Sequence, residues 1–310
     1  MSRVRLEGVV LGAEEAGEGP PALQISPEEI DALRLRAASA LEKGLEFIDR
    51  HGEELICLRV RGLLGAVGVE ECAEAIATHQ RADGSFPVLG LAEGGAPGLD
   101  TARDAGLEEA ALGTLEALIA LSDLGLHHHP CVEGAAVFMQ SIQRADGSWG
   151  PDEAAPGQNL FATGMVAGLL GRTRVVRPEV LDAAGQYLEG IFTPERISGR
   201  NWAALTAFGV FFTNVGHDLA DSALQWIGRE LERGYRTRVY EAGLTLRTLL
   251  HCQSLAIPGA SLDPFLLLMD LLGEQGGDGG FAEFAAGDDG NRVEPTLDAL
   301  LGTIRLCQSF

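Results

Sequence analysis

The chain has 310 residues and is 46% hydrophobic, enough for a substantial core, while 6% aromatics and 41 glycines suit packed helices better than sheets. Its 23 basic and 45 acidic residues give a formal charge of −22, which argues against nucleic acid or an anionic membrane as partner, because both need basic patches. Cys57, Cys72, Cys131, Cys252 and Cys307 are scattered with no Cys-x-x-Cys pair, so neither a zinc knuckle nor a disulfide framework is expected, and the thiols read as reduced residues of a cytoplasmic protein.

Residues 1–24, rich in Gly, Glu and Pro, read as a flexible arm with no signal peptide, and residues 25–310 as a single domain. No run approaches the roughly 20 apolar residues of an integral membrane segment. A helix opens at Ser26, with Pro27 at its first position and Glu29 closing a capping box, and should stop near Gly52. Eleven further helices are predicted over 53–65, 68–80, 107–124, 130–144, 159–171, 177–190, 201–214, 217–233, 239–254, 260–274 and 293–308. Some, such as 218–233, are amphipathic. Others, such as 159–171 and 201–212, are apolar nearly all round and need cover on most sides. Ala162, Gly164, Ala167 and Gly168 would let neighbours approach closely. Six outer and six inner helices in alternation describe an all-α fold, an (α/α)6 toroid. An open helical array is the alternative.

One phrase recurs. Gln80-Arg81-Ala82-Asp83-Gly84-Ser85-Phe86 returns as Gln143-Arg144-Ala145-Asp146-Gly147-Ser148-Trp149 and, weakened, as Gln275-Gly276-Gly277-Asp278-Gly279-Gly280-Phe281. Asp-Gly makes a tight turn, the aromatic anchors it, and the Gln amide at the helix end is placed to bond orphan carbonyls or the next repeat. The phrase reads as a structural staple.

This repeat, set between an outer and an inner helix, resembles that of the terpenoid cyclase and protein prenyltransferase superfamily, over about residues 27–309. The resemblance implies an (α/α)6 barrel with a central cavity, open near the N-terminal ends of the inner helices, for a prenyl chain or similar hydrophobic small molecule. Neither of the family's chemistries is spelled out. The cyclases' Asp-x-Asp-Asp-Thr-Ala survives only as Asp100-Thr101-Ala102, in what reads as a loop. The zinc transferases' Asp-x-Cys is missing, and no His opens the last helix, so no zinc or other cofactor is expected.

His127, His128 and His129 before Pro130 read as a solvated turn, and His251 beside Cys252 as two residues pointing different ways. Asp288 and Asp289 read as a turn, with a divalent metal for diphosphate as the sharper alternative. Of the acids at inner-helix starts, Glu108 and Glu109 read as complements to the helix dipole. Glu294 and Asp298 lie four apart on one face, so both can look inward and raise each other's pKa. With Glu241 they are the candidate acid–base groups. Trp202 and Tyr240 offer π faces to a carbocation, and Asn159, Arg200 and Arg238 complete the candidate substrate site. Arg236 and Arg292 are further candidates for an anionic group. The alternative is a binding or scaffold protein that kept the barrel and lost its chemistry.

Overall fold

A computed structural model describes residues 26–90, 97–155, 157–281 and 292–309. The predicted 1–24 arm, Asp288 and Asp289 lie outside the described residues. Within them the chain is all-helical, with no strand beyond an isolated bridge between Gln275 and Phe281. All twelve predicted helices are present. Five are buried nearly all round or along most of their length: α5 (Glu109–Asp123), α7 (Leu160–Leu170), α10 (Trp202–Asn214), α12 (Ala242–His251) and α14 (Val293–Cys307). Six keep an exposed face: α1 (Pro27–His51), α3 (Val69–Ala77), α6 (Pro130–Ser141), α8 (Pro178–Ile191), α11 (Ala220–Arg236) and α13 (Pro264–Gly273). The short α2 (Glu54–Leu63) turns Ile56, Arg59 and Val60 inward.

The capping box of α1 is formed as expected, Ser26 Oγ accepting from Glu29 N and Glu29 Oε2 from Ser26 N at 2.8 Å. Two helices were not expected: α4 (Pro97–Asp104) and the single turn α9 (Pro194–Ile197). Asp100-Thr101-Ala102, expected in a Gly- and Pro-rich loop, lies in α4. Leu99 and Ala102, three apart, both bury, and that apolar pair is enough to fold the segment onto the core. α12 is shorter than predicted: α11 runs on to Arg236 with Arg238 left-handed behind it (φ 57°), and Gln253, also left-handed (φ 54°), lies just past the C-terminal end of α12.

α7 packs against α10, α12 against α14, and α14 against α1. The first contact is close because Gly164 and Gly168 present no side chain: a Cβ on Gly164 would sit 2.5 Å from the carbonyl oxygen of Ala207.

The three repeated phrases have one geometry. Asp83 and Asp146 accept from the N–H and Oγ of Ser85 and Ser148, and Asp278 accepts from Gly280 N–H. The buried aromatic's N–H donates to a threonine of a buried helix: Phe86 to Thr114 at 2.9 Å, Trp149 to Thr163 at 3.1 Å, Phe281 to Thr296 at 2.9 Å. Each Gln amide donates twice, to its own turn and to a neighbouring peripheral helix. Gln80 reaches Cys131 O of α6, Gln143 reaches Val180 O of α8, and Gln275 reaches Ala40 O of α1.

Candidate functional site

Glu294 and Asp298 lie one helical turn apart on α14 and both face inward, at 5% residue and 13% side-chain exposure. They meet a buried charged network. Arg247 Nε of α12 donates to Asp298 Oδ2 at 2.5 Å, and Arg59 of α2 pairs with Asp123 at the end of α5. Glu116 of α5, also buried, accepts from Leu89 N–H at 2.8 Å. His251 follows Arg247 by one turn on α12.

The electrostatics follow from that burial. Glu294 Oε2 is buried with no hydrogen-bond partner among the described residues. Burial pushes its carboxyl up to about 8, with Asp298 and Glu116 adding to the rise and Arg247 and Arg59 opposing it. Asp123 is pushed up to about 6 by burial, against the pull of Arg59. His251 is pushed down to about 4, because burial disfavours its cation. The two acids of the expected pair thus differ: burial favours the neutral form of Glu294, and Asp298 is held in an ion pair with Arg247.

The remaining candidates are dispersed. Glu241 is exposed at the N-cap of α12 and makes no side-chain cap. Glu274, which the sequence reading missed, does that work: its two oxygens accept from Ala242 N at 2.7 Å and Gly243 N at 3.0 Å. Burial drives Glu274 up to about 7 in spite of those bonds. Trp202 and Tyr240 are buried, and their polar atoms are spent on backbone, Trp202 Nε1 to Leu244 O and Tyr240 Oη to Gly199 O. Asn159 is buried beside Ser148, to whose Oγ its amide donates at 3.2 Å. Arg238 pairs with Asp270 at 2.9 Å, Arg236 with Glu232, and Arg292 with Asp278 in the third repeat turn. Asp100 is half exposed and paired with Arg103. His129 caps α6 ahead of Pro130, its Nδ1 accepting from Cys131 N.

Arg200 stands apart from the other arginines. It lines a cavity of about 380 Å³ at the N-terminal ends of α7 and α10, together with Arg196, Leu160 and Phe161. Neither arginine forms an ion pair among the described residues.

Sequence reasoning missed Arg59, Glu116, Asp123 and Arg247. For Glu116 and Arg247 a signal was available, a charge inside a largely apolar helix: such charges are almost never buried unless paired.

No family model matches the chain, and no curated protein does. A crystal structure described as that of a protein from Actinoplanes is similar over 88% of this chain and 99% of its own, with a TM-score of 0.53 and 13% sequence identity. The likeness is one of fold.

Proposed function

We propose that the chain is a closed (α/α)6 toroid with α2, α5, α7, α10, α12 and α14 inside, in which Glu294 acts as a general acid on a hydrophobic, prenyl-type small molecule without zinc. The glutamine links support closure, since they run from α3 to α6, from α6 to α8, and from α13 back to α1. The prenyl character of the substrate rests on the resemblance to terpenoid cyclases.

The observation that carries the chemistry is the buried, unpartnered Oε2 of Glu294. A carboxyl that keeps its proton at neutral pH is available there as a general acid, whereas an ordinary surface glutamate is ionised. The Arg247–Asp298 pair beside it keeps a fixed dipole at the site. The cavity at Arg196 and Arg200 has apolar wall and positive charge suited to a ligand with a polar end, but Glu294 is not among its lining residues, so a substrate must reach the acid from elsewhere in the barrel.

A second reading, binding or scaffolding without chemistry, is favoured by Trp202 and Tyr240, whose polar atoms are bonded to backbone, the first joining α10 to α12 and the second joining two loops. Incubation with farnesol and with squalene, followed by mass spectrometry, separates the two. Product formed by the wild type and lost in Glu294→Gln at unchanged melting temperature supports the acid. Binding without product in either protein supports the scaffold.

A further inference from the structure

We propose that a separate cavity, at the C-terminal ends of α5, α12 and α14, binds a small carboxylate with an apolar tail. It holds about 250 Å³. Leu249, Leu250, Leu255 and Leu301 form its walls, and Asp123 and Arg305 are its charged lining residues. That lining matches the usual pattern of a small-molecule site, apolar walls with a few convergent polar groups.

Local charge selects the sign of the ligand. Asp123 is already matched by Arg59. Arg305, exposed at the rim, forms no ion pair among the described residues. Arg172, just past α7, acts electrostatically on both Asp123 and Arg305, and its Nη1 is buried without a hydrogen-bond partner among the described residues. Asp123 thus has Arg59, Arg172 and Arg305 acting on it. The one further carboxylate that acts on it, Asp298, is already paired with Arg247, so Arg172 and Arg305 are left as a local positive surplus in a chain whose net charge is −22. One added carboxylate reduces that surplus, and Arg305 offers it a planar, charge-assisted donor pair. An organic cation would add to the surplus. The four leucines call for an apolar tail, and the volume limits it to a short one.

The wall is also held in place. Gln253, which lines the cavity, takes φ 54°, an uncommon conformation for a residue with a side chain. Its amide is fixed by two bonds to Ser122, to the carbonyl oxygen and to Oγ, both at 3.0 Å. These bonds join the end of α12 to the end of α5, so the cavity is bounded by a clamped loop.

Isothermal titration calorimetry at pH 7 with sodium octanoate tests the proposal, with octan-1-ol and inorganic phosphate as controls at matched ionic strength. Saturable one-to-one binding of octanoate is expected, with octanol weaker by about tenfold or more. Arg305→Gln, at an exposed position and checked by its melting curve, should weaken octanoate by a similar factor and leave octanol unchanged. Ser254→Trp, a second variant that fills the cavity from its rim, should abolish both. The proposal is overturned if octanoate does not saturate, if octanol binds as well, if phosphate binds as tightly as octanoate, or if Arg305→Gln binds like the wild type.

Discussion

Gln275 donates its side-chain amide to the carbonyl oxygen of Ala40 at 2.9 Å, across 235 residues of sequence. The same amide also bonds Gly279 O in its own turn, at 2.9 Å. One side chain thus fastens the end of α13 to the middle of α1. Gln275→Ala removes both bonds and leaves two carbonyls short of a donor, which should cost about 1–3 kcal/mol in urea denaturation. It should also expose α1 to limited proteolysis sooner than Gln143→Ala does. Equal stability and equal proteolysis would show that this clasp does not hold the two ends of the chain together.

The aromatic of the phrase should matter more. Trp149 is fully buried, and its Nε1 donates to Met139 O at 2.8 Å. Trp149→Ala should cost about 3–5 kcal/mol as a large-to-small core change. Trp149→Phe should cost much less, because Phe86 fills the equivalent place in the first repeat. Thermal melts of the two variants decide it, and matching melts for Trp149→Ala and wild type would remove the anchor role.

Turn geometry gives a sharper case. Gly147 has φ 86°, and a Cβ there would lie 2.2 Å from the carbonyl oxygen of Ala183 in α8. Gly147→Ala must move either the turn or α8, so it should destabilise by more than the usual 1–3 kcal/mol of a strained backbone position alone. Gly65→Ala is the control, since its φ is 72° but nothing lies within 4 Å of the added Cβ. Chemical denaturation of the pair separates conformational strain from steric conflict.

Much of this was legible in sequence. The repeat, the capping box and the apolar helices followed from local rules, because turns, caps and periodicity are set by neighbours in the chain. Glu294 and Asp298 were found together because residues four apart share a helix face. The pairings of Arg247 and Arg59 were not found, because their partners lie on other helices and nothing local names those partners. Glu241 was taken for a functional acid from its place at a helix start. Glu274, which does bond that helix start, arrives from another helix and is invisible to local reading. Tyr240 and Trp202 were recognised as placed near helix starts, but their bonds to Gly199 and Leu244 depend on packing that the sequence does not state.

The network implies a cost for breaking one partner. Arg247→Met leaves Asp298, 13% exposed at its side chain, without its cation. A loss of about 3–5 kcal/mol is expected, with much of it recovered in the double variant Arg247→Met/Asp298→Leu. Strict additivity in the double-mutant cycle would contradict a direct pairing.

Stability should also depend on pH in a defined way. Glu294 and Glu274 hold their protons to about 8 and about 7, against an ordinary 4.5. The native state then binds more protons than the unfolded chain, so their contribution is complete below 4.5 and is lost as pH rises through those values. His251 and His127, lowered to about 4 from 6.5, act in the opposite sense below 6.5. Between pH 6.5 and about 8 the carboxyls are left to set the slope, so the melting temperature should fall there. Glu294→Gln should flatten the upper part of that fall, and a wild-type profile that rises over this interval would contradict the assignment.

The state of Glu294 is the centre of the account, and a carbon-13 NMR titration of the glutamate side-chain carboxyls reads it directly, with Glu294→Gln identifying the resonance. A midpoint near 8 is expected for Glu294. A midpoint near the ordinary 4.5 would mean a solvated or fully paired carboxylate, with no proton to give at neutral pH, and would contradict the proposed acid.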